Sequence, residues 1–431
     1  MKKIYIATLG CAKNLVDSEV LGGQLSANRF QLVGQPDDAD ILIVNTCGFI
    51  EDAKDESIRA ILEAVEYKKD EPAKKVLVAG CLSQRYKTEL QNEIPEVDGY
   101  FGTEDFGAIL ASLGRNHAAS DHLYRQRQQL TPPHFAYLKI SEGCNHTCAF
   151  CAIPGIRGAH RSRTIESLRD EARILAQRGI KELILVSQDT SYYGKDNYGK
   201  QSIVRLLEEL DTIDGLEWIR VLYWYPTNFP LDVLDVMKHS NKIVHYIDMP
   251  IQHISERMLR LMRRGDTRES LLRIFDKIRT TLPDAALRTT IILGHPGETK
   301  NDFNELYKFL EEIRFDRLGT FIYSDEEGTP AFDIKEKVDR ETALERQQKI
   351  MELQQSISLQ NNRALIGTKQ RILLDEYDAA QDVYIGRTFR DAPEIDNEVI
   401  VRSGTEKNEY KTGRFYTVDI DDAAEYELFG K

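Results

Sequence analysis

The residues best suited to chemistry are three cysteines spaced as CxxxCxxC. They are Cys144, Cys148 and Cys151, and they follow a predicted strand in a loop. Three thiolates at this spacing can bind three irons of a 4Fe-4S cluster, which leaves the fourth iron without a protein ligand. The open iron can bind the amino and carboxylate groups of S-adenosylmethionine, and electron transfer into the sulfonium then releases a 5′-deoxyadenosyl radical. The spacing therefore predicts a radical-generating cluster.

A structural zinc site and an electron-transfer cluster are the two alternatives for these cysteines. Zinc sites favour four ligands in CxxC pairs, and an electron-transfer cluster normally has a fourth cysteine as well. No fourth cysteine lies near residues 144–151. His146 could complete a zinc site, but it lies inside the CxxxCxxC spacing, where its geometry is awkward. These observations favour the radical-generating cluster.

The other three cysteines, Cys11, Cys47 and Cys81, are far apart in the sequence, but each follows a predicted strand. Helices alternate with these strands, which indicates a parallel sheet covered on both faces. Because ligands gather at the carboxyl ends of strands in open α/β sheets, we expect the three thiols to converge on one site. The alternative is three separate core residues, since free cysteine is often buried. The predicted strands are residues 4–9, 40–45 and 75–79, and the predicted helices are residues 17–29 and 52–67.

A second run of alternating elements extends to about residue 324. Six strands and five helices alternate here, which predicts a curved, partly open barrel with its chemistry at the carboxyl ends of the strands. The CxxxCxxC loop follows the first strand, so we expect the cluster at that end of the barrel. The predicted strands are residues 136–141, 182–187, 218–224, 243–249, 287–293 and 317–323, and the predicted helices are residues 164–178, 201–213, 231–238, 268–281 and 301–313.

Polar residues that follow barrel strands are candidates for binding the cofactor. Gln188 and Asp189 follow the second strand, and Gln252 and His253 follow the fourth. We predict that Gln188, Asp189 and Gln252 contact S-adenosylmethionine because they lie at the active end of the barrel. The alternative is that these strand ends are merely solvated.

Arg157, Gly294 and Glu298 are three further candidates for cofactor binding. Arg157 follows the cluster loop and could pair with the carboxylate of the cofactor or of an acidic substrate side chain, or it could lie in a solvated basic loop. Gly294 and Glu298 belong to the segment GHPGET between a strand and a helix. Such a turn can bring backbone close to a ligand, and it can equally require glycine for its own geometry. Tyr323 and Ser324 could line the substrate entrance.

The C-terminal part has a different pattern. A long helix at residues 340–361 precedes five short strands with Gly and Asp turns, which predict a small OB-like β-barrel. The fold class is therefore α/β in three domains. The predicted divisions are a parallel α/β domain at 1–116, a linker at 117–133, a partly open (β/α)6 barrel at 134–338, a connecting helix at 339–364 and the small β-barrel at 365–431.

The chain is acidic, with 57 Lys and Arg against 70 Asp and Glu and a net charge of −13. Such a chain binds nucleic acid phosphates poorly in general and is suited to a basic protein partner. The first residues lack the apolar run of a signal peptide, and no stretch approaches the ~20 apolar residues of a membrane-spanning helix. We therefore expect a cytosolic protein, in which disulfides are disfavoured and spaced cysteines serve as metal ligands.

Four segments of the sequence resemble one enzyme family, the methylthiotransferases of the radical S-adenosylmethionine class. The resemblance covers essentially the whole chain, in the order methylthiotransferase N-terminal domain, radical barrel and TRAM domain. It implies that Cys11, Cys47 and Cys81 bind an auxiliary 4Fe-4S cluster with one open iron, and that the CxxxCxxC cysteines bind the radical-generating cluster. The segments are TLGCAKNLVDSE (8–19), NTCGFI (45–50), AGCLSQRY (79–86) and YLKISEGCNHTCAFCAIPGIRGAHRSR (137–163).

Within this class the sequence is most similar to the enzymes that modify a ribosomal protein. The resemblance implies that one S-adenosylmethionine methylates a sulfur held at the auxiliary cluster, and that a second yields the radical, with electrons from an external donor. The radical would take hydrogen from the β-carbon of an aspartate in small-subunit ribosomal protein twelve, and the methylthio group would be attached there.

Two alternative functions remain at this point. The sister family modifies transfer RNA with the same chemistry, and TRAM domains often bind RNA. Residues 365–431 contain 9 Lys and Arg against 15 Asp and Glu, which favours a basic protein over RNA as the substrate. A non-enzymatic iron–sulfur scaffold or redox sensor is the alternative of another class, and it predicts no turnover of S-adenosylmethionine.

Overall fold

The N-terminal unit is a five-stranded parallel sheet with the strand order β2-β1-β3-β4-β5. The structure, a computed structural model, describes residues 1–115, 123–402 and 410–431. Strand β3 is buried along its whole length, because helices cover both faces of the sheet. The elements are β1 (Lys3–Thr8), α1 (Ala12–Ala27), β2 (Gln31–Leu32), β3 (Ile41–Thr46), α2 (Glu51–Asp70), β4 (Lys75–Gly80), α3 (Cys81–Arg85), α4 (Lys87–Glu93), β5 (Gly99–Tyr100) and α5 (Phe106–Ser112).

The central unit is a curved, partly open barrel of six parallel strands in sequential order. It consists of two three-stranded sheets, and a single bridge between Ile219 and Ile243 joins them. The predicted partly open (β/α)6 barrel is confirmed. Its elements are β6 (Phe135–Lys139), β7 (Ser141–Glu142), α6 (Ile153–Arg157), β8 (Arg161–Ser162), α7 (Ile165–Gln177), β9 (Glu182–Val186), α8 (Ile203–Asp211), β10 (Trp218–Val221), α9 (Val233–His239), β11 (Tyr246–Asp248), α10 (Glu256–Leu261), α11 (Arg268–Thr281), β12 (Ala286–Leu293), α12 (Lys300–Ile313) and β13 (Arg317–Ile322).

A long helix connects this barrel to a second, smaller one. The helix packs on β13 and buries Ile350 and Ile357. The last five strands close into a barrel in the order β14-β15-β16-β18-β17, as expected for an OB-like fold. The elements are α13 (Arg340–Arg363), β14 (Lys369–Asp378), β15 (Val383–Thr388), β16 (Glu398–Arg402), β17 (Phe415–Ala423) and β18 (Glu427–Gly430).

The sequence did not predict several short elements. The helices α3, α6 and α10 and the hairpin of β7 and β8 span between two and six residues. Elements this short contain too few residues for a hydrophobic period to be recognised. Helix α1 also begins at Ala12 rather than at residue 17. Residues 117–122 of the predicted linker lie outside the described residues.

The small barrel packs against the amino ends of the strands of the large one. Glu182, the first residue of β9, accepts a hydrogen bond from Arg387 of β15 at 2.7 Å. Arg317, the first residue of β13, donates to Asp391 at 2.8 Å between Nε and Oδ1. The small barrel therefore lies at the end of the large barrel opposite to the carboxyl ends of its strands.

The N-terminal unit packs against the large barrel at its open side and at its carboxyl end. Val16 and Val20 of α1 share one apolar cluster with Phe135 and Tyr137 of β6. Helix α1 thus covers β6, one of the two edge strands of the barrel. In the described part of the chain, no helix is both long and apolar enough to cross a membrane.

Candidate iron–sulfur active site

One cavity of about 390 Å³ lies between the N-terminal unit and the carboxyl ends of the barrel strands. Its volume is in the range of cofactor and small-molecule sites. All six cysteines line it: Cys11, Cys47, Cys81, Cys144, Cys148 and Cys151. The structure therefore brings the two predicted thiol groups to a single site, with one group on each side of the boundary between the units.

The three N-terminal thiols converge because each follows the end of an adjacent parallel strand. Cys47 directly follows β3, and Cys81 directly follows β4. The loop after β1 brings Cys11 against Cys47 through Gly10, which has a φ of +88°. A Cβ at Gly10 would lie only 2.7 Å from the Cβ of Cys47. Glycine is therefore required for this close approach.

The CxxxCxxC loop is held in place by His146. Its Nε2 lies 2.7 Å from Oδ2 of Asp189, and its ring stacks on Tyr225 at 3.6 Å with an interplanar angle of 7°. The Tyr225 hydroxyl lies 3.6 Å from the sulfur of Cys148. The histidine thus orients the loop through Asp189. Asp189, a predicted cofactor contact, does not line the cavity, and its carboxylate is engaged by His146.

Burial raises the pKa of most of these thiols. It raises the pKa of Cys81 and of Cys144 to about 11 each, and that of Cys151 to about 12. Cys11 is exposed; the surrounding atoms raise its pKa, but the charges of Lys13 and Arg157 and backbone hydrogen bonds together lower it below the ordinary value. A metal must therefore displace protons from most of these thiols when it binds.

The thiols are not arranged around a single metal ion. Among the described residues, no three Cys, His, Asp or Glu side chains lie close enough together to hold one ion. Thiolates that each bind a different iron of a cluster stand farther apart than thiolates that share one ion. The soft donors and the cavity thus fit iron–sulfur clusters better than they fit the zinc alternative.

Arg157 lies on the N-terminal side of the cavity, where its guanidinium is already engaged. Nη1 donates to Asp17 at 3.0 Å and to Glu142 at 2.9 Å, and Nη2 donates to the sulfur of Cys81 at 3.3 Å. Although burial opposes ionisation, Lys139 and Arg157 lower the pKa of Glu142 to about 2. Arg157 therefore joins the loop of the radical-type cysteines to the N-terminal thiols, and its hydrogen-bonding capacity is largely used within the chain.

Gln188 and Gln252, two of the predicted cofactor contacts, line the cavity. Nε2 of Gln188 donates to Glu142 at 2.7 Å. The side-chain oxygens of both residues are buried, and neither has a hydrogen-bond partner within the described ranges. A buried acceptor without a donor is costly, so these two oxygens fit a ligand with amino or hydroxyl donors. S-adenosylmethionine has both kinds of donor.

Gly294 and Glu298 do not line the cavity. Gly294 has a φ of +73°, and a Cβ there would lie 2.7 Å from the Cβ of Ala343 in α13. Its N–H donates to Glu298 at 2.7 Å, and Glu298 accepts a hydrogen bond from Arg346 at 2.7 Å. The segment therefore fastens the end of β12 to α13, and its glycine satisfies turn geometry and close packing. The structure therefore gives no support to the predicted cofactor contacts of Gly294 and Glu298.

Several cavity residues were not identified from the sequence. They include Lys13, Tyr223, Tyr225 and Arg264. Both tyrosines follow β10, but the predicted strand ran to residue 224, so only the position of Tyr225 was a usable signal. Lys13 lies two residues after Cys11, and Arg264 lies after a helix too short to predict. The predicted entrance residues Tyr323 and Ser324 do line the cavity.

Models of three protein families match the chain in succession. A family described as uncharacterized protein family UPF0004 matches residues 3–102, the radical SAM superfamily matches residues 138–310, and the TRAM domain matches residues 366–431. The second match implies a 4Fe-4S cluster and S-adenosylmethionine as cofactors.

Two solved structures of radical S-adenosylmethionine enzymes have folds similar to that of this chain. The methyltransferase TsrM from Kitasatospora setae has a TM-score of 0.55 at 14% identity, with 77% of each chain covered. The cobalamin-dependent enzyme OxsB has a TM-score of 0.54 at 12% identity, with 82% of this chain and 56% of that chain covered. At such low identity these similarities show the fold alone.

Curated relatives are much more similar and extend over the full length. A protein of Christiangramia forsetii is 46% identical over 429 residues, which cover 100% of this chain and 94% of the relative. One of Chloroherpeton thalassium is 47% identical over 429 residues, which cover 99% and 98% respectively. Both are named ribosomal protein uS12 methylthiotransferase RimO. The chain belongs to the RimO family of radical S-adenosylmethionine methylthiotransferases.

Proposed function

We propose that this methylthiotransferase attaches a methylthio group to the β-carbon of an aspartate in small-subunit ribosomal protein uS12. The main support is that six cysteines from two structural units line one cavity. The relatives at 46% and 47% identity are named for the same ribosomal protein. Ribosomal proteins are made and assembled in the cytoplasm, so this substrate implies a cytoplasmic enzyme.

The cysteines divide into two ligand sets in this proposal. Cys144, Cys148 and Cys151 hold the cluster that binds S-adenosylmethionine, and the N-terminal cysteines hold an auxiliary 4Fe-4S cluster. When bound, these groups supply a radical that removes hydrogen and a sulfur that can be methylated and transferred, with electrons from an external donor. A reaction that replaces C–H by C–S needs both functions in one place, and this need is the reason for proposing two clusters in one cavity.

The chain's own residues would bind and orient the cofactor and compensate thiolate charge. The side-chain oxygens of Gln188 and Gln252 accept hydrogen bonds from the amino and hydroxyl groups of S-adenosylmethionine. Arg157 compensates negative charge at Cys81, and Arg264 lies 3.8 Å from the sulfur of Cys148 with a similar role. Charge-assisted hydrogen bonds of this kind stabilise thiolates in buried sites.

Apolar walls would protect the reaction from water. The cavity lining includes the apolar side chains of Phe49, Ile50, Phe150, Ile153, Ile292 and Phe321. An apolar enclosure keeps solvent and stray hydrogen-atom donors away from reactive intermediates, which favours reaction at the intended carbon.

Mass spectrometry tests the proposed substrate directly. The protein, with its clusters reconstituted without oxygen, is incubated with uS12, S-adenosylmethionine and a reductant, and in a parallel reaction with transfer RNA. We expect uS12 to gain the mass of a methylthio group in place of one hydrogen, located on an aspartate. A Cys148→Ala variant, reconstituted in the same way, is the matched control.

Two other results would contradict the proposal in different ways. A methylthio group on transfer RNA, with uS12 unchanged, would leave the chemistry intact and replace the substrate. An enzyme that cleaves no S-adenosylmethionine in the presence of either substrate would support the scaffold or redox-sensor alternative.

A further inference from the structure

Lys13 is a buried cation in the wall of the cavity that, among the described residues, has no carboxylate partner. Lys13 is only 9% exposed. Its Nζ donates to the carbonyl oxygen of Ser187 at 3.3 Å and lies 3.8 Å from the ring centroid of Tyr223. No carboxylate lies within 4.0 Å of this nitrogen in the ranges 1–115, 123–402 and 410–431. A buried ammonium that no carboxylate pairs with is costly, and Cys11 is the one thiol near it in the described part of the chain, so the position of Lys13 indicates a site for an acidic ligand.

Other buried cations near the cavity are neutralised within the chain. Lys139 donates to Asp17 and, at 2.7 Å, to Glu142. Arg157 donates to the same two carboxylates. Lys13 is close to this cluster of charges in sequence and in space, yet it contacts neither carboxylate. The carboxylates of the network are therefore already shared by two cations, and Lys13 is directed elsewhere.

Lys13 extends from the N-terminal unit into the mouth of the barrel. Its backbone belongs to α1, whereas its two contacts, Ser187 and Tyr223, follow the barrel strands β9 and β10. The carboxyl ends of barrel strands are where substrates bind in this class of fold. The ammonium thus lies at the boundary between the two thiol groups, where the substrate must meet both of them.

We propose that Lys13 binds the carboxylate of the substrate side chain and thereby selects an acidic residue. This inference rests on the proposed function, in which the substrate residue is an aspartate. The β-carbon of aspartate is one bond from its carboxylate carbon. Fixing the carboxylate therefore fixes the reacting carbon, and a positioned C–H bond lowers the entropic cost of the reaction. A neutral nucleic acid base offers Lys13 no comparable charge.

Binding measurements with two peptides test this assignment. The probes are a peptide of uS12 that contains the aspartate, and the same peptide with asparagine in its place. The dissociation constants of both are measured for the reconstituted enzyme with S-adenosylmethionine bound. The variants are Lys13→Met, Lys13→Arg and, as the control, Lys200→Met, since Lys200 is an exposed lysine of a barrel loop.

The unaltered enzyme and the Lys200→Met variant should bind the aspartate peptide at least about ten-fold more tightly than the asparagine peptide, because burial strengthens a charge-assisted pair. Lys13→Met should remove this preference and leave the affinity for the asparagine peptide unchanged. Lys13→Arg should keep most of the preference, since it retains the charge.

Two results would overturn the role of Lys13. The preference for aspartate could persist in Lys13→Met, or Lys13→Met could weaken both peptides by the same factor. The second result would mean that the ammonium only compensates thiolate charge near Cys11. Methylthio transfer to the aspartate peptide by the unaltered enzyme, measured separately, distinguishes a failure of this inference from a failure of the proposed function.

Discussion

Single cysteines of the two thiol groups allow the two proposed roles to be separated. Replacing Cys148 by alanine should reduce cleavage of S-adenosylmethionine to background, because the cluster that binds it loses a ligand. Replacing Cys47 by alanine should leave cleavage close to that of the unaltered enzyme but stop methylthio transfer. The measurement is the amount of 5′-deoxyadenosine and of modified uS12 formed by each variant under strong reductant.

Cys47 and Cys148 line the same cavity, so each variant is the control for the other. If Cys47→Ala lost cleavage as completely as Cys148→Ala, the proposed division between the two cysteine groups would be wrong. The iron content of both variants should fall by a similar amount, which makes a general folding defect recognisable.

His253 makes the stability of the fold depend on pH. Its ring is fully buried, and its Nδ1 accepts hydrogen bonds from the N–H groups of Ile254 and Ser255 at 2.8 and 3.0 Å. Burial lowers the pKa of His253 to about 3, below the usual 6.5. The unfolded chain therefore binds one more proton than the folded chain between these values, and the stability present above pH 6.5 is lost as the pH falls towards 3.

The expected loss is about 1.4 kcal/mol per pH unit for this one proton, or about 2 kcal/mol between pH 6.5 and 5. Denaturant unfolding of the protein at several pH values measures it. Asparagine at position 253 retains an acceptor without titrating, so His253→Asn should flatten the dependence. His239→Asn replaces an exposed histidine and should leave the dependence unchanged. An unaltered slope in His253→Asn would assign the effect to other groups, such as the buried His295.

At the scale of elements, the contact between Gly294 and α13 determines how the long helix sits on the barrel. Gly294→Ala should destabilise the protein by about 1–3 kcal/mol, because it adds a methyl group in a tight contact and forces a side chain into a left-handed conformation. The Cβ would lie 2.7 Å from the Cβ of Ala343. The thermal midpoint of unfolding, compared with that of the unaltered protein, measures the loss.

A second substitution separates the two causes. Ala343→Gly removes the atom that the new methyl group would touch, although it weakens α13 by about 1 kcal/mol on its own. The double variant should be more stable than the sum of the two single effects predicts. Strict additivity would mean that only the backbone conformation of Gly294 matters and that the contact with α13 does not.

At the scale of the whole molecule, buried ion pairs fasten the N-terminal unit to the barrel. Glu326, in the loop after β13, accepts hydrogen bonds from Lys54 at 3.2 Å and from Arg85 at 2.5 Å, and its side chain is 1% exposed. Both cations belong to the N-terminal unit, and Glu326 itself lines the cavity. This contact therefore helps to hold the N-terminal thiols over the barrel.

Glu326→Gln should loosen this contact and affect methylthio transfer more than cleavage of S-adenosylmethionine. Removing one partner of a buried ion pair costs about 3–5 kcal/mol where the pair is fully desolvated, and less here because both cations are partly exposed. We expect methylthio transfer to fall by at least about ten-fold, since transfer needs the two thiol groups to keep their relative positions. Cleavage of S-adenosylmethionine should change little. Hydrogen exchange at residues 51–54 reports the loosening itself.

Glu51→Gln is the matched control for this variant. Glu51 also pairs with Lys54, at 3.6 Å, but its side chain is 69% exposed. An exposed pair contributes little to stability, so Glu51→Gln should behave like the unaltered enzyme. Equal effects of the two variants on methylthio transfer would show that the contact at Glu326 does not position the N-terminal unit.

The molecule places its two accessory units at opposite ends of the barrel. The N-terminal unit covers the carboxyl ends of the strands, whereas the small C-terminal barrel packs on their amino ends through pairs such as Arg387 with Glu182. Asp391 and Asp396 are also engaged with arginines of the large barrel. Part of the acidic excess of residues 365–431 thus stabilises this interface and does not face a partner.

The sequence by itself determined the local features of this protein. The CxxxCxxC spacing, the alternation of strands and helices and the position of Cys47 and Cys81 directly after strands all depend on neighbours within a few residues. A hydrophobic period and a ligand spacing are local properties, so they remain recognisable without a structure. The partly open barrel and the small closed barrel followed from the same local patterns.

Only the tertiary structure decided which partners the charged residues have. Arg157 pairs with Asp17, 140 positions away in the sequence, and Lys13 reaches Ser187, 174 positions away. Gly294 meets Ala343 of a helix whose position on the barrel is set by packing. A side chain's type and neighbours in sequence do not fix such contacts, because they arise when separate units pack together and each buried charge must find, or lack, a counter-charge.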